Sequence, residues 1–260
     1  MTSSAPSLNP KNTINAVTNA LELLEVLADH DGARLSDLSQ HSGFTLNQTF
    51  RLLETLEVAG YVTRERDKRY RLGHKLHLLG LKAEWPHALV SNAASSLDAL
   101  AALSGESVLL AVRSNLHRMV VDSRPSTYSL RVDWGHGSKL PLHVGGLGVA
   151  LLAFSPVNIQ NAILEQADTG RLTGFTPDTL TSRAELETEL QRVRATGVRV
   201  SRDDWAHGEF SVAAPILGAD GTARGALNIA GFTARLTPDL ELRYIDAVRA
   251  AAQQVTVESA

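Results

Sequence analysis

Asn47, Gln48, Arg51 and Thr55 fall on one polar stripe of a segment whose other side carries Thr49, Leu52, Leu53 and Leu56 at near-helical spacing. Side-chain amides pair bidentately with adenine and a guanidinium with guanine, so a helix presenting this stripe has the chemistry to read base edges. The plainer reading is a solvated helix face with Arg51 paired to Glu54 or Glu22. Between Arg64 and Lys75, six basic residues (Arg64, Arg66, Lys68, Arg69, Arg71, Lys75) face two acidic ones, a net charge of +4. That suits phosphates, or simply a solubilising surface. A third group, Asp203, Asp204, His207 and Glu209 with His143, has the residue types of a metal site or an acid–base pair. The His207-x-Glu209 spacing has no second histidine at i+4, so this group reads as a solvated loop. No catalytic residue, metal or cofactor is assigned.

The first two groups need elements to hold them. Leu35-Ser-Asp-Leu38 leads to Ser42-Gly43-Phe44-Thr45, where the glycine ends a short helix and Thr45 caps the next. After Gly60 a hairpin follows: Tyr61 to Arg66, a turn at Asp67-Lys68, and a return from Arg69 to Leu72. Its alternation sets Tyr61, Thr63 and Glu65 against Val62, Arg64 and Arg66. Helix, turn, helix and hairpin in this order make a winged helix-turn-helix. Its candidate DNA contacts are Thr45, Asn47, Gln48, Phe50, Arg51 and Thr55 on the helix and Arg64, Lys68 and Arg69 on the wing. Upstream, Ile14, Val17, Leu21, Leu24 and Ala28 form a heptad-like seam, and Leu23 and Leu27 add a second stripe. The two stripes read either as core plus partner contact or as one broad buried face. Readers of this kind pair to reach successive major grooves about 34 Å apart, so a homodimer is expected.

With 260 residues, 43% of them hydrophobic, the chain is long enough for two cores. A formal charge of −3 makes the basic character local. The absence of cysteine excludes disulfides and thiolate zinc sites and is compatible with a reducing cytoplasm, the expected location. No uncharged apolar run approaches the ~20 residues of a membrane span. The expected organisation is a disordered arm over 1–12, the winged unit over 13–73, a linker helix over 74–86 broken near Pro86, and an α+β domain over 87–260 with a central antiparallel sheet. In that domain helices are expected near Ala88–Leu103, Gly146–Phe154, Asn158–Gln166, Ser182–Thr196 and Pro238–Val255. Strands are expected near Ser107–Arg113, His117–Asp122, Leu130–Asp133, Val198–Ser201, Ser211–Leu217 and Ala223–Ala230, with Asp220-Gly221 as a hairpin turn.

Beyond the winged unit stand Tyr70-Arg-Leu-Gly73, Leu140-Pro-Leu-His-Val-Gly-Gly146-Leu-Gly148-Val-Ala-Leu-Leu-Ala153, Gly208-Glu-Phe-Ser-Val-Ala-Ala-Pro215 and Ala226-Leu-Asn-Ile-Ala-Gly231. On these motifs the chain, from about Thr13 to Val255, resembles bacterial regulators of the isocitrate lyase regulator (IclR) type. The resemblance implies a GAF-like effector domain, a dimer or dimer of dimers, and transcriptional control, more often repression, tuned by a small metabolite. It also implies a pocket lined by Leu130 and Val132, by Gly146 and Leu147 at a helix start, by Asp203 or Asp204, and by Ser211, Asn228 and Ala230, with His143 nearby. A Gly-Gly helix start offers free N–H donors, which suits a small organic acid. Ser211 and Asn228 otherwise only satisfy buried groups. Where similar proteins favour proline, lysine and Ser-Thr after the turn, this chain has Thr45, Leu46, Asn47, Gln48 and Phe50, so its operator should differ. Val149 stands where a lysine is usual. Asn228 and Ala230 leave the effector free to differ from glyoxylate-like acids.

Overall fold

The structure, a computed structural model, describes residues 14–82 and 87–255. The expected N-terminal arm and residues 83–86 of the expected linker lie outside them. The chain divides into two units, Met1–Trp85 and Pro86–Ala260.

In the first unit, α1 (Asn15–Asp29), α2 (Leu35–Ser42) and α3 (Leu46–Val58) precede a hairpin of β1 (Val62–Arg64) and β2 (Tyr70–Leu72), and α4 (His74–Lys82) follows. The tight corner between α2 and α3 is local chemistry. Gly43 takes a left-handed φ of 71°, and the Thr45 hydroxyl accepts from the Gln48 N–H at 3.3 Å. Leu23, Leu27, Leu38, Leu53, Leu56, Val62 and Tyr70 form the core. The two stripes of α1 separate: Leu23 and Leu27 are fully buried, while Ile14, Val17 and Leu21 are 70%, 53% and 57% exposed. A single broad buried face within this chain is therefore corrected to one core stripe and one exposed one. In the hairpin Val62 pairs with Leu72 and Arg64 with Tyr70, and Lys68 turns the chain at φ 67°.

The second unit opens on α5 (His87–Ser104). Its sheet is formed by β3 (Ser107–Ser114), β4 (His117–Arg124), β5 (Lys139–Pro141), β6 (Arg199–Arg202), β7 (Glu209–Leu217) and β8 (Ala223–Phe232), antiparallel in the order β5-β4-β3-β8-β7-β6. Helices α6 (Gly145–Ala153), α7 (Val157–Asp168), α8 (Arg183–Thr196) and α9 (Pro238–Gln254) complete it. Both sheet faces are covered, so β3 is buried along nearly its whole length. Val108, Leu110, Val212 and Ile229 pack with α5 and α9; Leu109, Ala111, Val120 and Ala213 pack on the opposite side with α6 and α8.

One expected strand is absent. Residues 130–133 are irregular, and the edge next to β4 is filled by β5 instead, with Arg118 opposite Leu140. The alternation of Leu130-Arg-Val-Asp satisfies a period of two, but Leu130 is 65% exposed and Val132 is anchored through its carbonyl, which accepts from the Ser107 hydroxyl at 2.5 Å. A single bond to a side chain replaces the ladder the pattern implied. The Asp220-Gly221 turn joins β7 to β8, with Gly221 at φ 75°. Ser182 and Glu185 cap α8 reciprocally, and Gly197 ends it at φ 72°.

Candidate DNA-reading face and ligand cavity

Helix α3 presents Asn47, Arg51 and Thr55 to solvent and holds Gln48 half-buried, while Thr49, Leu53 and Leu56 enter the core. Two of the six candidate contacts on the helix have local employment: the Thr45 hydroxyl is the helix cap, and the Thr55 hydroxyl donates to the Arg51 carbonyl at 2.8 Å. Arg51 is paired with neither Glu54 nor Glu22; among the described residues its guanidinium has no hydrogen bond or ion pair. Phe50 and Leu46, 37% and 55% exposed, stand beside it.

The cations of the hairpin region divide into two sets. Arg69 donates to the Gly32 carbonyl at 2.8 Å and pairs with Asp67 at 3.0 Å. Arg71 pairs with Glu65 at 2.7 Å and with Asp31. Lys75 donates to the Ala59 carbonyl at 2.9 Å and lies over the Tyr61 ring. These three bind the unit together, so Arg69, expected on a phosphate, is already engaged within the fold. Lys68 and Arg66 have no ion pair or hydrogen bond through their charged heads among the described residues, and Arg64 only stacks over Tyr70, at 5.6 Å. Arg34, Arg64 and Lys68 line an open groove of about 480 Å³ that also meets Leu46 and Phe50. The net charge of +4 thus overstates the free cationic surface.

The second site is a cavity of about 40 Å³ against the α6 face of the sheet. Seven expected residues line it: Val132, Gly146, Leu147, Asp204, Ser211, Asn228 and Ala230. Three do not. Leu130 is exposed, His143 is buried with Nε2 3.0 Å from the Thr173 carbonyl, and Asp203, at φ 57°, accepts from the Gly208 N–H at 2.5 Å. His143 and Asp203 each adjoin a lining residue in sequence, but His143 is held by the distant Thr173 carbonyl and Asp203 by the Gly208 N–H of its own turn. Of the acid–base group of the sequence, Asp204 and Glu209 line the cavity, whereas Asp203, His143 and His207 do not. Gly146 is needed for approach: a Cβ there would collide with the Ser211 side chain and crowd Ala213.

Sequence reasoning did not select Arg118, Trp134 and Trp205, all in the wall; Glu209, also in the wall, was expected only in the charged loop group. Arg118 is 4% exposed on β4, its Nη1 has no partner, and its guanidinium lies 4.9 Å from the Trp134 ring centre. Burial alone pushes it down to about 10. A signal did exist, since Arg118 is in phase with Val120, which faces α6, so a charge interrupts an apolar row. Trp134 and Trp205 meet edge to face at 5.1 Å.

Opposite lies Asp204, 3% exposed. Burial raises its carboxyl above the usual range against the pull of Arg199 and of the Gly145 backbone N–H. Arg199 reaches Asp204 at 3.3 Å and Glu189 at 2.9 Å, making a buried charged triad. The helix start expected to receive a ligand acid therefore already adjoins this protein's own carboxylate. The Asn228 amide donates to the Ser211 hydroxyl at 2.8 Å, and its Oδ1 is buried without a partner. Burial also raises the Glu209 carboxyl.

Comparison with known proteins bears on both sites. Residues 16–66 match the model of the IclR helix-turn-helix domain and residues 86–257 that of the bacterial transcriptional regulator IclR C-terminal domain. The HTH-type transcriptional repressor AllR of Escherichia coli K12 is 28% identical over 244 residues, covering 93% of this chain and 89% of that one. A solved ICLR transcriptional regulator of Silicibacter sp. TM1040 is 31% identical with a TM-score of 0.71, covering 92% and 94%. The fold also matches an IclR homolog from Microbacterium hydrocarbonoxydans, solved with 4-hydroxybenzoate, at TM-score 0.77 and 18% identity, covering 92% and 97%.

Proposed function

This chain belongs to the IclR family of bacterial transcriptional regulators, and on that premise we propose that it is an effector-responsive repressor that binds operator DNA as a homodimer. The observation that carries the DNA half is the unpartnered guanidinium of Arg51 on the exposed stripe of α3, beside Asn47. Arg51 and Asn47 read base edges, while Arg64 and Lys68, which border the groove, and the free Arg66 meet phosphates. The exposed seam of Ile14, Val17 and Leu21 is the dimer contact, and a pair of such dimers gives the tetramer. No helix among the described residues is long and apolar enough to cross a membrane, and a repressor of this kind works in the cytoplasm. Its chemistry is binding rather than catalysis.

Ligand in the cavity favours one state of the protein over another, and operator affinity changes by the ligand's differential affinity for the two. Fluorescence anisotropy with the promoter fragment upstream of the protein's own gene, at stated salt, tests the reading. Specific binding at least about 1000-fold tighter than to random duplex is expected. Equal affinity for both would refute sequence-specific regulation. A metabolite extract that leaves operator affinity unchanged would refute effector control.

A further inference from the structure

Arginine is almost never fully buried unless paired, because desolvation of the charge must be offset by a counter-charge. Arg118 is buried in the cavity wall with its guanidinium over the Trp134 ring, and no carboxylate of the described residues pairs with it. A ring face attracts the guanidinium but does not neutralise it. At the other edge of the cavity the deficit is of the opposite kind. The Asp204 Oδ1 and the Asn228 Oδ1 are both buried acceptors without a donor, since Asp204 uses Oδ2 on Arg199 and Asn228 uses its amide on Ser211. Arg118 comes from β4, whereas Asn228 comes from β8 and Asp204 from the loop between β6 and β7. Arg118 and Asn228 thus stand on the two strands that flank β3, while Asp204 reaches the cavity from the β6–β7 end of the sheet. A cavity of about 40 Å³, against the roughly 10–15 Å³ of the same measure that admits one water, takes a ligand of few heavy atoms.

Taking the cavity as the effector site, as proposed above, we infer that its ligand is a short carboxylic acid carrying a hydroxyl or ammonium at the far end. The carboxylate sits on the Arg118 guanidinium beside Trp134, and the donor end faces the free oxygens of Asp204 and Asn228. Each end supplies what the wall lacks. A neutral isostere leaves the guanidinium unpaired, and an acid without a donor leaves two acceptors unpaired.

The experiment is thermal melting and tryptophan fluorescence of the full chain with glycolate, 3-hydroxypropionate, glycine and β-alanine, against glycolamide, 3-hydroxypropionamide, acetate and propionate. Hydroxy or amino acids are expected to raise the Tm and perturb the emission of Trp134 and Trp205, with the amides at least about 100-fold weaker and the plain acids about 10-fold weaker. Arg118→Met is expected to melt no lower than the wild type without ligand, because it removes an unpaired buried charge, and to lose the acid response. Arg118→Lys should keep a reduced response. Amides binding as well as acids, an unchanged response in Arg118→Met, or an unliganded Arg118→Met that melts well below the wild type would overturn the assignment. Silence of the wild type toward the whole series would also overturn it. If operator release by a metabolite extract persisted in that case, the effector reading would stand and this inference alone would fall.

Discussion

The winged unit and the ligand cavity each contain paired and unpaired cations, and the same chemistry means different things in the two places. On the wing, Arg69 and Arg71 hold carboxylates while Lys68 and Arg66 hold none, and all are well exposed. Water solvates an unpaired surface cation at little cost, and an exposed ion pair stabilises by only about 0–1 kcal/mol. At the cavity, Asp204 in the wall is backed by Arg199, itself paired with Glu189, whereas Arg118 has an aromatic face alone. There the difference between paired and unpaired is large. An unpaired charge on a surface shows which side faces solvent; an unpaired charge in a cavity specifies what must come in.

The largest expected effect breaks the pair that is complete. Arg199→Leu strands the buried Asp204 carboxylate, while Glu189 keeps its pair with Arg192, and should lower stability by about 3–5 kcal/mol, read by chemical denaturation of the full chain. A loss below about 1 kcal/mol would mean that the triad is solvated in practice. The next sharpens the DNA-reading side. Arg51→Ala should relax preference at one base pair by about 1–3 kcal/mol, measured by anisotropy over single-base operator variants. An even loss across all variants would assign Arg51 to phosphate instead.

Lys68 and Arg69, adjacent on the wing, separate the two kinds of surface cation. Lys68→Ala should weaken every sequence alike and reduce the salt slope by about 1. Arg69→Ala should leave the slope nearly unchanged and lower the melting point of the winged unit slightly, since its bonds run to Gly32 and Asp67. Interchanged results would reverse these roles.

The smallest effect concerns pH. Burial holds His143 below its ordinary value of 6.5, so it contributes stability that is present above pH 6.5 and lost as pH falls through its folded value. The same burial raises Asp204, whose contribution is present below its ordinary 3.8 and lost as pH rises through the folded value. The two oppose each other in mildly acid solution. The informative quantity is therefore the wild type minus His143→Gln, whose Tm difference should shrink between pH 7 and pH 5. A constant difference would show that His143 does not titrate in that range.

Legibility followed the range of the interactions. Gly43, Thr45 and the Ser182–Glu185 pair act within a few residues, so the helix boundaries they set were readable from spacing. Five cavity residues, Gly146, Leu147, Ser211, Asn228 and Ala230, were readable because their motifs keep helix start and strand in order; Val132 and Asp204 stand outside those motifs. The strand expected at Leu130–Asp133 was misread, since alternation cannot reveal that Lys139–Pro141 takes the edge beside β4. Leu130, His143 and Asp203 lie outside the cavity for different reasons: Leu130 faces solvent, His143 is held by a carbonyl distant in the chain, and Asp203 by a bond within its own turn.

The order of elements, the caps and the polar stripe of α3 are properties of the sequence by itself, because each depends on residues a turn or two apart. Which cations are spent inside the wing and which remain free was settled only by folding, which brings Asp31 and Gly32 against a hairpin forty residues on. Folding also carried Arg118 into the cavity, since the charge it meets or lacks is set by strands and loops distant in the chain. No local pattern encodes that balance.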